Sequence, residues 1–277
     1  PPYVSYSVIS AAGELIHSTP ITIEKPVFMH DFAVTEKYSL FLDFPITLDV
    51  ERAMAGGPAL GFEPEHGSRI GVVPRFGTDS DVRWFEVETG SVVHTANAWE
   101  EGDEVVLQAS RSKTSDIASA GLAAENLEET QGQLYEWRIN LISGAVTERT
   151  LSAVRCDFTR VNDSYVCQKT RYVYGAVFNP VRPFSFDGVM KFDNETQTTT
   201  KFDYGPKRFG GEAVFAPKVG ATTEDDGYLI CFVQDEEVGQ SECLILDAKN
   251  IVAGPVASIL VPYRVPYGFH AGWVATD

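Results

Sequence analysis

The chain has 277 residues, of which 44% are hydrophobic and 12% aromatic, enough to bury a substantial core. Its formal net charge of -17 argues against non-specific nucleic-acid binding, which requires a basic surface. The same charge disfavours electrostatic docking on an anionic membrane, although a local apolar patch could still give peripheral contact. No apolar run reaches the roughly 18 residues of a membrane-spanning helix.

The first ten residues, PPYVSYSVIS, lack the basic segment that opens a signal peptide. They also lack an initiator methionine, from which we expect a chain cut from a longer one. The four cysteines, Cys156, Cys167, Cys231 and Cys243, show neither CxxC spacing nor histidines at zinc-finger distances. We therefore expect reduced thiols in an intracellular protein that is not secreted.

The stretch PVFMHDFAVTEKYSLFLDFP, Pro26–Pro45, gives the first strong strand signal. Its apolar residues are mostly spaced two apart, the period of a strand with one buried face; they are Met29, Phe32, Val34, Tyr38, Leu40 and Leu42. His30 begins or immediately precedes this strand. It is either a hydrogen-bonded histidine at a strand end or a metal ligand, since neutral imidazole is the commonest protein ligand for transition metals.

Four later segments repeat one pattern, in which an apolar run meets an acidic or amide residue, then a turn and a second run. These are WFEVETGSVVHTA around Glu88, LYEWRINLISGAVTERTL around Asn140, GVMKFDNETQTTTKFDYG around Asp193 and CLILDAKNIVAGPVASILVP around Asp247. Such segments predict β-hairpins. Because successive turns lie about 50 residues apart in a strand-rich chain, the pattern is typical of a β-propeller with roughly five blades or part-blades here.

Helix signals are scarce. The best candidate is SDIASAGLAAENLEETQGQ, residues 115–133, for which we predict a loop with a short helical turn. No Pro/Ser-rich linker divides the chain, so residues 1–277 are expected to belong to a single domain.

Three of the five histidines occupy similar settings. His30, His94 (GSVVHTANAW) and His270 (VPYGFHAGWV) lie where strand-like stretches begin or among aromatic residues and glycines. His17 and His66 lie among turn residues, where solvated surface is the better interpretation. In a propeller, inner strands of separate blades start near one axis, so distant histidines can converge on a point. An all-imidazole set would suit iron, zinc or copper.

Ligand histidines usually donate their second ring N–H to a carboxylate. Glu212 (GGEAVFAPK) and Asp157 (VRCDFTRVN) lie in apolar settings and could serve as such partners or as ordinary structural acceptors. The sequence contains no GxSxG elbow, glycine-rich nucleotide loop, HExxH or EF-hand motif, so serine hydrolase, nucleotide-dependent, zincin and calcium-sensor chemistries are disfavoured.

Taken in order, these motifs resemble the carotenoid cleavage oxygenase family, which includes carotenoid, apocarotenoid and lignostilbene dioxygenases and the retinal pigment epithelium isomerase. The similar segments run almost from end to end: PPYVSY, MHDFAVTEKYSLFLDFP, RIGVVPR, HTANAWEEGDEVVL, RCDFTRVN, TRYVYG, GGEAVFAPK, EDDGYLICFV, LILDAKN and YGFHAGW. The resemblance implies an all-β, seven-bladed propeller of which this chain covers roughly the last five blades, with loops capping the metal face.

The resemblance also implies a non-haem Fe(II) held by four histidines, the last three of which fall on His30, His94 and His270. Glu212 matches a carboxylate expected to orient His270. Asp157 stands where a glutamate usually braces His94, and the shorter side chain leaves room for a bridging water. The first ligand, and the glutamate that braces His30, are expected upstream of Pro1, in a missing first third.

The function implied is an oxygenase that uses O2 to cleave a conjugated C=C bond of a carotenoid, apocarotenoid or stilbene-like molecule, giving carbonyl products. The partners are thus an apolar small molecule and O2, without nucleic acid, in a cytoplasmic or plastid-type compartment. Residues AMAGGPALGF, Ala53–Phe62, replace what is often an apolar entrance loop near a membrane. The alternative is a catalytically inactive propeller that binds an apolar ligand or a protein partner.

Overall fold

The computed structural model describes residues 1–115 and 126–275. Twenty strands occur in these ranges: β1 Val4–Ile9, β2 Leu15–Ile21, β3 Ala33–Val34, β4 Tyr38–Asp43, β5 Ile46–Leu48, β6 Leu60–Phe62, β7 Ser68–Pro74, β8 Arg83–Val87, β9 Ser91–Glu101, β10 Glu104–Ser112, β11 Gln133–Asn140, β12 Val146–Arg160, β13 Tyr172–Phe178, β14 Phe186–Asp193, β15 Thr198–Asp203, β16 Arg208–Gly210, β17 Val214–Pro217, β18 Gly227–Asp235, β19 Gln240–Asp247 and β20 Pro255–Val261.

Helices are short. The two α-helices in the described ranges are α1 Val50–Met54 and α2 Leu127–Thr130, and the 3-10 turns there are Pro64–His66, Asp79–Asp81, Asp163–Tyr165 and Ile251–Ala253. Asp49 caps α1 by accepting the Arg52 backbone N–H, and Asn126 caps α2 in the same way from Glu128. No helix in the described part of the chain is long and apolar enough to cross a membrane.

The strands form antiparallel sheets that follow one another along the chain. β1 and β2 pair alone, as do β5 and β6, and β3, β4, β7 and β8 form a four-stranded sheet. The remaining strands form one twelve-stranded sheet with a continuous path from β9 to β20, from which β15 and β17 branch at β14 and β18. Within it, β9 to β12 pair in sequence order, as do β13 to β15 and then β17 to β20. Successive four-stranded meanders of this kind are the blades of a propeller.

The path is continuous because β16 pairs with both β14 and β18, and because the 15-residue strand β12 pairs with two groups of strands. Its first part pairs with β11, and its last part pairs with β13 after a register shift, with Cys156 opposite Val177 and Asp157 opposite Ala176. A long strand with such an irregularity bends between neighbouring sheets. Asp157 therefore lies near the end of a strand that is fixed from both sides.

Apolar clusters fill the spaces between successive sheets. The first joins β4 and β7 to β10 and β11 and includes the fully buried Leu107 and Trp137; a second joins β11 and β12 to β13 and β14; a third joins β13 and β14 to β18 and β19. Each face-to-face contact removes apolar side chains from water. This hydrophobic burial is the main contribution that holds consecutive sheets together.

The hairpin predictions at Asn140, Asp193 and Asp247 are confirmed by the β11–β12, β14–β15 and β19–β20 pairs. The prediction at Glu88 is wrong: β8 pairs with β7 and β9 with β10, so the turn after Glu88 carries the chain from one sheet to the next. Of the 115–133 segment, a short helix is present as α2, whereas residues 116–125 lie outside the described residues.

The one-face burial predicted for the strand after His30 is also wrong. In β4, Ser39, Leu40, Phe41, Leu42 and Asp43 are all buried. The reason is that one face packs on β9–β11 while the other packs on the β1–β2 hairpin.

Candidate metal centre

Three histidines from separate parts of the fold converge. His30 precedes β3, His94 lies in β9, and His270 lies in an extended segment after β20. One nitrogen from each imidazole lies within 4.8 Å of the others, and the Nε2 atoms of His94 and His270 are 3.2 Å apart. The structure thus brings together all three histidines that the sequence analysis singled out.

His94 is held by Asp157. Its Nδ1 lies 2.9 Å from Asp157 Oδ1, so the contact is direct and the bridging water expected from the shorter side chain is not needed. Burial alone would lower the pKa of His94, but the hydrogen bond and charge of Asp157 outweigh it, and the pKa is raised. With Nδ1–H donated to Asp157, the Nε2 lone pair of the neutral ring points towards the cluster.

His270 is held by Glu212, which lies between β16 and β17 and is 4% exposed. Glu212 Oε2 accepts the backbone N–H of Ala271 at 2.7 Å and lies 3.3 Å from His270 Nδ1. Its other oxygen pairs with Arg160 at 3.3 Å. The arginine neutralises a buried carboxylate that would otherwise be costly to desolvate.

His30 lacks a carboxylate on its ring among the described residues, but its neighbour Asp31 is fixed. Asp31 Oδ2 accepts the backbone N–H of Thr95 at 2.8 Å and the Thr95 hydroxyl at 2.7 Å. These hydrogen bonds connect the residue after His30 to the residue after His94. Burial and the adjacent His94 and His270 rings lower the pKa of His30, which favours the neutral ligand form.

This donor set fits a transition-metal ion. The Nε2 atoms of His94 and His270, 3.2 Å apart, are close enough for one ion to bind both at the usual metal–nitrogen distance of about 2.1 Å. Two of the rings have a carboxylate at Nδ1, the usual arrangement for a ligand histidine. Three imidazoles without thiolate suit iron, zinc or copper.

Two cavities meet at the cluster. One has a volume of about 520 Å³ and is largely apolar; the other, about 230 Å³, is polar and includes Asp31, Thr95, Arg160 and Glu212. Both include the three histidines and Phe158. Aromatic side chains that line the apolar cavity are Phe28, Phe158, Phe178, Phe184, Phe186 and Phe269.

Phe158 is held in an unfavourable backbone conformation, with φ of 50°. Its ring lies 4.7 Å from that of His94 and 5.1 Å from those of His270 and Phe186. A left-handed conformation at a non-glycine residue costs of order 1–3 kcal/mol and persists only where surrounding contacts impose it. Here it places an aromatic ring at the boundary between the histidines and the apolar cavity.

Sequence reasoning missed Asp31, Arg160 and Phe158. Their partners lie far away in the chain, and the one available signal was adjacency to a candidate, since Asp31 follows His30 and Phe158 follows Asp157. The surface interpretation of the other two histidines is also corrected. His66 is 7% exposed at its side chain and pairs with Asp43 at 2.9 Å, while His17 is half-buried and contacts the Gly77 carbonyl oxygen.

The chain is similar to known proteins over nearly its whole length. Residues 1–275 match the family model described as retinal pigment epithelial membrane protein, RPE65. A carotenoid 9,10(9',10')-cleavage dioxygenase of Crocus sativus is 44% identical over 99% of this chain and 53% of its own length. A zeaxanthin 7,8(7',8')-cleavage dioxygenase of the same plant is 34% identical over 99% of this chain and 76% of its own length.

Solved structures are similar over almost the whole chain. The lignostilbene dioxygenase of Pseudomonas brassicacearum matches 96% of this chain and 59% of its own with a TM-score of 0.87 and 28% identity. The cobalt-substituted Synechocystis apocarotenoid oxygenase matches 98% of this chain and 58% of its own with a TM-score of 0.88 and 28% identity.

The similar solved structures show that the fold is a β-propeller, and this propeller carries a histidine cluster suited to a metal ion. The chain belongs to the carotenoid cleavage oxygenase family, which the RPE65 family model represents. It spans about half the length of the first curated relatives that it matches.

Proposed function

We propose that the full-length protein is a non-haem Fe(II) dioxygenase that cleaves a conjugated C=C bond of a carotenoid, apocarotenoid or stilbene-like molecule. The observation that carries this proposal is that the three-histidine cluster lines a largely apolar cavity together with several phenylalanines. The named activities of the relatives, which include carotenoid cleavage and lignostilbene oxygenation, support the substrate class.

In this proposal His30, His94 and His270 are metal ligands, and Asp157 and Glu212 hold the Nδ1–H tautomers of the last two. A fourth ligand, and the blades that complete a seven-bladed propeller, would lie in sequence outside residues 1–277. When bound, ferrous iron supplies the redox chemistry that allows O2 to react with an electron-rich double bond. In the overall reaction the C=C bond breaks, and each carbon gains one oxygen atom to become a carbonyl.

The protein itself positions the substrate and excludes water from it. A polyene offers few polar groups, so the phenylalanines of the apolar cavity hold it by burial and dispersion with one double bond near the histidines. As metal ligands the neutral imidazoles would offer their lone pairs to the ion rather than to a proton. Asp31 keeps the backbones that carry His30 and His94 at a fixed separation.

Several relatives have chloroplastic or chromoplastic names, which supports a plastid-type compartment for this protein. A peripheral membrane contact would use the surface around α1, where Leu48, Val50 and Met54 are exposed by 42%, 64% and 85%. An isolated apolar face of this size gives weak, reversible attachment.

The proposal is tested with the full-length protein reconstituted with Fe(II). We would offer a carotenoid, an apocarotenal and a hydroxystilbene under 18O2 and analyse the products by mass spectrometry, expecting one labelled oxygen in each carbonyl fragment. His270→Ala should lose both iron and cleavage. His17→Ala is the control, because it removes an imidazole that lies outside the cluster.

Two outcomes would overturn parts of this proposal. Retention of one iron per chain in His270→Ala would refute the ligand assignment. A wild-type protein that binds an apolar molecule but releases no labelled product from any of the three substrates would favour the catalytically inactive propeller instead.

A further inference from the structure

The segment that carries His270, residues 262–275, contains no helix or strand and will be called the strap. Its backbone is attached at three points: the Val265 N–H donates to Ser241 Oγ at 2.7 Å, the Phe269 carbonyl accepts the Glu212 N–H at 3.1 Å, and the Ala271 N–H donates to Glu212 Oε2. Without a hydrogen-bonded ladder, such a segment depends on side-chain contacts for its position.

Arg182 makes a side-chain contact between the strap and the rest of the fold. Its guanidinium lies over the Tyr267 ring at 5.1 Å and over the Phe209 ring at 4.6 Å, and it pairs with Glu236 at 2.8 Å. The Tyr267 hydroxyl donates to the same Glu236 carboxylate. The hydrogen bond to Glu236 raises the pKa of Arg182, and Tyr267 and Arg182 together lower that of Glu236.

Arg182 belongs to a loop with a second role. The loop spans residues 179–185, and its Pro183 and Phe184 line the apolar cavity. Asn179 closes the loop by accepting the Arg182 backbone N–H at 2.8 Å, and the Ser185 hydroxyl donates to the Arg182 carbonyl at 2.9 Å. Arg182 thus links the cavity-lining loop to Tyr267, which lies in the strap three residues before His270.

We infer that Arg182 is a positioning residue for His270, acting by fixing Tyr267 and the strap against the cavity-lining loop. This inference rests on the proposed function, because it assumes that His270 is a metal ligand. Arginine suits the role because its planar group stacks on aromatic rings while it pairs with a carboxylate, which lysine does less well.

The test uses full-length protein loaded with Co(II) as a spectroscopic substitute for iron. Arg182→Ala should shift the Co(II) visible spectrum towards that of His270→Ala and raise the dissociation constant of Co(II) by about 5–30-fold, as expected for one partly exposed ion pair and two cation–π contacts. Arg182→Lys, which keeps the charge, should give an intermediate shift.

Arg171→Ala provides the matched control. Arg171 lies over the Tyr172 ring at 5.0 Å and pairs with Asp193 at 2.8 Å, and its side chain is 38% exposed against 41% for Arg182. Its contacts do not include the strap or the cavity loop. A comparable loss of thermal stability is expected in both variants, with the Co(II) spectrum changed only by Arg182→Ala.

The outcomes separate the two proposals. A wild-type Co(II) spectrum and affinity in Arg182→Ala would overturn the positioning role, whatever the activity. The same spectral change in Arg171→Ala would also overturn it, because the effect would then be general destabilisation. A wild-type protein that binds Co(II) as expected but whose iron form cleaves no substrate would overturn the dioxygenase proposal and leave the role of Arg182 supported.

Discussion

Replacing Glu212 by glutamine would keep the size of the side chain that holds His270 and remove its charge. Glu212 receives three donors: the Ala271 N–H, His270 Nδ1–H and the Arg160 guanidinium. A carboxylate accepts all three, whereas an amide has one accepting oxygen and one NH2 group. In either amide orientation, a donor therefore faces a donor.

The size of the effect follows from the two orientations. If the amide oxygen faces His270, the ion pair with Arg160 is lost; if it faces Arg160, His270 Nδ1 must accept, which places the proton on Nε2 and blocks the metal. Loss of a charged hydrogen bond in a buried site costs about 1.5–3 kcal/mol. At 1.4 kcal/mol for each factor of ten, this agrees with the roughly 10–100-fold loss of metal affinity found when such partners are changed.

The assay is Fe(II) titration of the metal-free full-length protein under anaerobic conditions, with unfolding measured on the same samples. Glu136→Gln is the matched control, since Glu136 is also 4% exposed and pairs with an arginine, Arg149, at 3.0 Å. It lies in β11 and does not contact the cluster. Equal iron affinities in Glu212→Gln and Glu136→Gln would refute the reasoning.

Three other changes have defined outcomes. Gly211→Ala should weaken iron binding about tenfold, because a Cβ there would lie 2.3 Å from the Gly268 backbone oxygen and displace the strap; unchanged iron titration would show that the strap adapts. Asp187→Asn should stabilise the fold at pH 7, since burial raises the pKa of Asp187 and disfavours its charged form. Because that pKa is above 3.8 in the folded state, wild-type stability falls as pH rises through it, so the gain should vanish below pH 3.8 and a gain that persists there would contradict the argument. Leu107→Ala, at a fully buried position, should lower the free energy of unfolding in urea by about 2–5 kcal/mol, and a loss below 1 kcal/mol would mean that the core collapses around the gap.

The parts of the fold that were predictable from sequence are those decided by neighbouring residues. The hairpins at Asn140, Asp193 and Asp247 follow from a turn residue between two apolar runs, and these contacts are local. At Glu88 the same local signal is present, but the partners of β8 and β9 are decided by sheet-to-sheet packing. The spacing of apolar residues along the sequence does not indicate which strands will pair.

In the candidate site, too, some features could be predicted from local sequence and others could not. The strand context of His30 and His94 and the aromatic context of His270 were enough to single out the three histidines that the fold brings together. The contact of Asp31 with Thr95 spans 64 residues, and that of Arg160 with Glu212 joins a strand end to a separate turn. The sequence of neither segment indicates which residue it will contact, so these contacts are visible only in the folded structure.

The three histidines are separated by 64 and 176 residues, which has a thermodynamic consequence. No two of them lie close enough in the chain to form a local chelate, so the unfolded state should bind the metal no better than isolated imidazoles do. Any metal bound at this cluster then acts as a ligand of the native state alone, adding about 2.7 kcal/mol of stability at a free concentration 100 times its dissociation constant. The melting temperature should accordingly rise with the logarithm of free Fe(II), so that a simple thermal scan reports on the assembly of three distant segments.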